Sequence, residues 1–364
     1  MTRAWVEVDL GALCRNGAAV AARAGVPLMP MMKADAYGLG ALRAALALES
    51  LEPWGYGVAT VTEGDELRRG GITRPIVVCT PILRTEIDAL RRTDLTPALG
   101  DPAVIESWAR TGRPWHLQID TGMARAGMRW DLVAQHSALL ERARPDGVFT
   151  HFHSADVDDT SRDEQEQRFE SALAALPARP GLVHAENGPA VERRAPSRWN
   201  LCRPGIFLYG VASNPGGALT PEPVASMRAR IVELRTIADG ETVSYGATWR
   251  AKGERRIATV PVGYADGYRR SLSNRGIALL GGQRIPAAGR VTMDMTMFDV
   301  TDTDAALGDV VTLLGRADGG ADVITVAELS ELCELSPYEV LTGLKLRLPR
   351  RYRIEGSEEQ GEAA

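Results

Sequence analysis

Between residues 25 and 210, short apolar runs alternate with helix-like segments at near-regular spacing. The runs are LMPMMK at 28–33, YGVAT at 56–60, PIVVCT at 75–80, LTPAL at 95–99, WHLQID at 115–120, GVFTHF at 147–152, LVHAE at 182–186 and NLCRPGIFLYG at 200–210. Segments such as ALRAALALES, TEGDELRRGG, RTEIDALRR and DPAVIESWAR lie between them. Alternating strand and helix predict a parallel sheet, since each helix returns the chain to start the next strand in the same direction. Some eight units in about 200 residues suit a closed (β/α)8 barrel of the TIM type better than an open doubly wound sheet, although spacing alone allows both.

After about residue 222 the pattern changes. MRARIVELRTI, RIATVPVGYA, RGIALLGG, MTMFDV and DVVTLLG are separated by Gly-rich turns with few helical segments. This predicts a mostly antiparallel β domain. One helix, TVAELSELCEL, follows, then the basic stretch LKLRLPRRYR. The small, polar, acidic end at 355–364 is expected to be disordered.

A chain of 364 residues with 45% hydrophobic and 24% charged residues can bury a core without a metal or disulfide staple. Its net charge of −5 argues against a nucleic-acid partner, which would require a basic excess. Cysteines 14, 79, 202 and 333 form no CxxC pair, so neither a disulfide framework nor a zinc knuckle is expected. In the opening MTRAWVEVDLGAL, Glu7 and Asp9 break the apolar stretch, unlike a secretory leader. No window has the apolar length of a membrane span. A cytoplasmic protein is expected.

Catalytic groups of such barrels sit at the C-terminal ends of strands. Those ends carry Lys33, Asp120 with Arg125, His151, and His184 with Asn187. Lys33 closes an apolar run. Burial there would favour a neutral, nucleophilic amine, while the plainer reading is a lysine leaving the core for solvent. The glycines of ADAYGLG and RPGIFLYG could bring backbone N–H groups to a phosphate, or be plain turns. HFH at 151–153 with His184 admits a metal site, although no carboxylate set accompanies it at a persuasive spacing. In the β domain VSYGATW, PVGYADGY and AGRVTMD are denser in Tyr, Asp, Arg and Gly than plain strands require.

MMKADAYGLG, IDTGMARAGM, FTHFHSAD, HAENGPA, LCRPGIFLYG, VSYGATW, VGYADGY and AGRVTMD, in this order, resemble the alanine racemases. The resemblance runs from VEVDL to RLPRRY. It implies pyridoxal 5'-phosphate as cofactor, a small amino-acid substrate, and interconversion of L- and D-alanine by two bases, supplying D-alanine for peptidoglycan. It also implies a homodimer with shared active sites, no membrane or nucleic-acid partner and no metal. The opening residues would join the β domain, giving a barrel at 10–222 and a β domain at 223–354 with 1–9.

By the same resemblance Lys33 forms the Schiff base and is one base, and Tyr245 of the other subunit is the second. Arg125, Met293 and Tyr264 hold substrate. His151 packs on the cofactor ring and Arg203 faces its nitrogen, with His184 behind. Tyr37, Asn187, Gly188, Gly205 and Ile206 surround the phosphate. This chain departs from the family pattern at five positions. Gln118 stands where many members have a modified lysine, and Gly188 where they have a phosphate-binding serine. Leu346 falls where some have a phosphate-contacting tyrosine, Thr292 replaces a frequent cysteine, and His153 replaces a small residue. The alternatives are a racemase of broader specificity, for example for serine, a related barrel decarboxylase, a metal-dependent hydrolase, and a cofactor-binding protein without turnover.

Overall fold

The computed structural model describes residues 2–317 and 321–354, and the backbone of 357–359. The sequence runs become the staves of a parallel barrel. Strands Tyr56–Val58, Ile76–Val78, Thr96–Leu99, His116–Asp120, Gly147–Phe149 and Leu182–His184 pair in that order. The extended segments 28–32 and 200–203 complete the ring. Leu28 bridges Cys202 and Met31 bridges Gly57, both parallel, and Asn187 bridges Arg203. Backbone bonds from Met29 N to Cys202 O at 2.8 Å and from Met32 N to Gly57 O at 2.7 Å join first stave to last and to second. The sheet is closed, and the open-sheet alternative falls.

The helices begin where local chemistry dictates. Thr60 and Glu63 form a capping box for helix Val61–Arg69. Asp101 caps helix Pro102–Ala109, whose proline occupies the first turn. Asp9 caps helix Leu10–Ala24, and Gly25 ends it in the left-handed region at φ 68°.

The β domain is built on one large sheet. Strand Ala4–Asp9 lies inside it, antiparallel to Ala225–Arg230 and parallel to Arg350–Ile354. Val310–Arg316, Ile277–Leu280 and Gln283–Pro286 extend it antiparallel. A second sheet joins Glu233–Ile237, Arg255–Val260 and Thr296–Asp299, and the ribbon Thr242–Val243 with Trp249–Arg250 projects separately. The expected helix is Val326–Cys333, capped by Thr325.

Of the tail expected to be disordered, residues 357–359 instead pair antiparallel with Arg350–Ile354. Without them that strand would be an open edge, whose free backbone groups pair with adjacent chain. Residues 355–356 and 360–364 lie outside the described residues.

Candidate active site

A cavity of about 600 Å³ opens at the C-terminal ends of the barrel strands. Lys33, Tyr37, Arg125, His151, Asn187, Gly188, Arg203, Gly205 and Ile206 all line it, so nine residues singled out by the resemblance converge in one chain. Gln118 lines it too, and it also borders a neighbouring cavity of about 400 Å³.

Lys33 begins the short segment Lys33–Gly38, which is not an ordinary helix. Ala34, Asp35, Ala36 and Tyr37 have φ of 52°, 54°, 51° and 58°, a left-handed turn built from non-glycine residues. Each costs about 1–2 kcal/mol against the right-handed form, so the surroundings must hold the turn. Glu63 Oε1 accepts from Ala34 N at 2.8 Å, and Asp35 Oδ1 accepts from Ala41 N at 2.6 Å. Arg350 of the β domain donates twice to Gly38 O, at 3.1 and 2.8 Å. Lys33 itself is exposed to the cavity, so of the two readings open from the sequence, a buried amine and a lysine leaving the core, the structure takes the second. The apolar run packs its neighbours Met29 and Met32, and the chain turns outward after them.

Arg203 is buried and, among the described residues, forms no ion pair with a carboxylate. Nη1 donates to His184 Nδ1 at 2.7 Å and to His184 O at 2.9 Å. Nη2 donates to Thr150 O at 2.8 Å, to Ala185 O at 3.0 Å and, at 3.5 Å, to His151 Nδ1. Its plane lies over Phe149. Burial lowers the guanidinium to about 10, which still leaves it charged at neutral pH. Burial first, and this positive charge second, push His116 and His151 down to about 3 and His184 well below its usual value. The three imidazoles are therefore neutral.

The metal alternative finds no support in this arrangement. His184 Nδ1 faces Arg203 and Nε2 faces His116 Nδ1 at 3.0 Å. His153 is exposed and bonds Ser154. The described residues contain no cluster of three or more His, Cys, Asp or Glu able to hold a metal ion.

The residues expected around a phosphate lie together at one end of the cavity. Tyr37 packs on Tyr209 at 4.6 Å between ring centroids, and burial raises its hydroxyl pKa. A Cβ on Gly205 would stand 2.5 Å from Tyr37 Oη, so glycine is required there. A Cβ on Gly188 would meet nothing closer than 3.8 Å. Asn187 caps helix Gly188–Arg193 through Ala190 N.

Tyr338, which no motif of the resemblance marked, also lines this end, its ring centroid 6.0 Å from that of Tyr37. Leu346, assigned to a tyrosine position, is 81% exposed and outside the cavity, whereas Tyr338 lines it. Its signal was the SPYE capping sequence, which places the tyrosine in the first turn of helix Pro337–Thr342. His116 was also missed. It alternates with Gln118 along one face of strand His116–Asp120.

Tyr245, Tyr264 and Met293 do not line this cavity. They are 74%, 38% and 53% exposed on the β domain. Tyr264 N bonds Thr292 O and Ala265 N bonds Met293 O, both at 3.0 Å, which joins those two loops. Arg347 locks them by bonding Asp266 at 2.6 and 2.7 Å and Asp294 at 2.7 Å.

With this geometry in place, comparison with known proteins is decisive. Residues 8–213 match the family model for the alanine racemase N-terminal domain, and 224–352 that for the C-terminal domain. The chain belongs to the alanine racemase family. The alanine racemase of Deinococcus radiodurans is 40% identical over 356 residues, covering 96% of this chain and 99% of that one. That of Sorangium cellulosum is 40% identical over 343 residues, covering 89% and 90%. The crystal structure of the Bacillus anthracis alanine racemase with bound L-Ala-P superimposes with a TM-score of 0.90 at 31% identity, covering 98% and 97% of the two chains. That from Bartonella henselae, with covalently bound pyridoxal phosphate, gives 0.89 at 26%, covering 97% and 100%. The chain is thus a pyridoxal-phosphate-dependent amino-acid racemase with a barrel and a β domain.

Proposed function

We propose that Lys33 and Tyr245 are the two bases of alanine racemisation, and that Tyr245 acts in the cavity of a second copy of the chain. The observation that carries this is the split of the functional residues. Lys33 lies in the barrel cavity of its own chain, while Tyr245 is 74% exposed on the β domain and does not line that cavity. A head-to-tail homodimer would bring Tyr245, Tyr264 and Met293 of one subunit over the barrel mouth of the other.

The cavity fits pyridoxal phosphate. Gly205 leaves the Tyr37 hydroxyl room at the cavity end, where Asn187, Gly188, Ile206 and Tyr338 also gather. Arg203 is a buried cation whose hydrogen bonds among the described residues go to carbonyls and neutral imidazoles, and it lines the same cavity. A guanidinium keeps its proton, so it suits an unprotonated ring nitrogen as hydrogen-bond acceptor. Lys33 would hold the cofactor, which supplies the electron sink for the substrate Cα.

Arg125 orients the substrate carboxylate, with Met293 and Tyr264 closing over it. In such a dimer Lys33 Nζ and Tyr245 Oη would face opposite sides of Cα, so that one takes the proton while the other returns one. A single base would have to cross from one face to the other. His151 is neutral, so it packs against the ring without adding charge.

We take 10–222 as the cofactor-binding unit and 223–354 with 1–9 as the unit that completes the partner's site. No helix among the described residues is long and apolar enough to cross a membrane. The four cysteines are free, which suits the reducing cytoplasm, where the D-alanine formed would feed peptidoglycan assembly. Measuring D-amino-acid formation from a panel of L-amino acids tests the reading. D-alanine should form fastest, and faster turnover of serine would favour the broader racemase.

A further inference from the structure

We infer that Glu63 is a positioning residue for Lys33, holding the lysine's backbone so that its amine meets the substrate Cα. This rests on the reading of Lys33 as cofactor lysine and base. Glu63 is the third residue of helix Val61–Arg69, and its carboxylate accepts from Thr60 N at 3.1 Å as a capping box requires. A cap needs no more than that. The same carboxylate also accepts from Ala59 N at 2.7 Å and from Ala34 N at 2.8 Å, 29 residues back in the chain.

Ala34 is the residue after Lys33 and the first of the four left-handed residues, and Ala59 lines the cavity beside it. The far end of the turn is held by Asp35 and Arg350. At the near end, the side chain that reaches the amide leaving Lys33 is Glu63. Three N–H groups converge on one carboxylate, and none belongs to a charged partner. Charge-assisted bonds of this kind are about twice as strong as neutral ones. A glutamine has one acceptor oxygen and would turn an NH₂ group toward a backbone N–H, so one of the two ends must be released.

The test compares holoenzyme of Glu63→Gln with wild type and with Thr60→Val. Thr60→Val removes the hydroxyl that caps Glu63 N while leaving the Glu63 carboxylate to Ala34. In Glu63→Gln, borohydride reduction and peptide mapping should still label Lys33, and cofactor content should be unchanged. The visible circular dichroism of the bound cofactor should fall, because its attachment point has moved. The kcat should drop about 10–100-fold with KM within about threefold, the signature of a misplaced reacting group rather than lost binding. The Cα-deuterium isotope effect should rise in one reaction direction only, that in which Lys33 takes the proton. Thr60→Val should match wild type in all these measures.

The proposal is overturned if Glu63→Gln keeps wild-type dichroism and kcat. It is also overturned if Thr60→Val reproduces the Glu63→Gln losses, which would make helix capping the whole role. Equal isotope effects in both directions would overturn it as well. Absence of label at Lys33 in wild type would instead overturn the reading of Lys33, and this proposal with it.

Discussion

His184 accepts a hydrogen bond from Arg203 at Nδ1, 2.7 Å away, so its proton sits on Nε2 and is donated to His116 Nδ1 at 3.0 Å. A buried cation is thus surrounded by neutral acceptors whose tautomers it dictates. This gives the cavity floor a fixed positive charge without a buried carboxylate bonded to it. Truncating one member of such a chain leaves the next without its partner.

The same arrangement makes stability depend on pH. His116 and His151 are held at about 3, below the ordinary value of 6.5, chiefly by burial. Between those values the unfolded chain binds more protons than the folded one. Stability is therefore full above pH 6.5 and is lost as pH falls toward 3, by up to about 1.4 kcal/mol per pH unit for each histidine. Carboxylates add their own slope at the acid end. The discriminating measurement is thus the difference in unfolding free energy between wild type and His116→Gln from pH 7 to 5. The variant should lose the share of one proton from the slope. Parallel curves would mean that His116 titrates normally.

Gly188 and Gly205 should respond oppositely to added side chains. Gly188→Ser has room, with no heavy atom closer than 3.8 Å to the new Cβ, and supplies a hydroxyl at the phosphate end. Cofactor affinity should rise about tenfold, the worth of a hydrogen bond to a charged group. Gly205→Ala forces a contact of 2.5 Å with Tyr37 Oη. It should weaken cofactor binding about tenfold or more, through the cost of overpacking. Spectrophotometric titration of apo protein with pyridoxal phosphate measures both. Unaltered affinity in Gly205→Ala would place the phosphate elsewhere.

Gln118 and Arg125 both line the cavity, yet no hydrogen bond joins them. Gln118 has no charge to offer the guanidinium, so a small anion such as chloride should sit beside Arg125. Activity should be indifferent to bicarbonate, since no lysine is present to modify. Replacing chloride by a bulky anion should raise KM for alanine about tenfold, the loss of one charge-assisted contact. An anomalous-scattering map with no halide at Arg125 and Gln118 bonded directly to it would reject this.

The barrel was legible because its periodicity is that of its physics: each buried strand reads as an apolar run, and some helices open on a readable cap, as at Thr60 and Asp101. Lys33 was legible as a strand end. The left-handed turn that follows it, from Ala34 to Tyr37, was not, because it is held by Glu63 and Arg350, far away in sequence. Tyr338 was missed for the same reason, since it reaches the cavity from a helix of the β domain. His116 was missed because its alternation with Gln118 implies a shared face but not which neighbours lie across the barrel.

In the proposed dimer each active site takes one base from each of two chains. The direct test mixes two inactive variants, Lys33→Ala and Tyr245→Phe, under conditions of subunit exchange. In a mixed dimer one site lacks both bases and the other has both. Random exchange in a closed twofold dimer makes half the dimers mixed, so activity should recover to about a quarter of wild type. No recovery, with exchange verified by mass-tagged subunits, would assign both bases to a single chain.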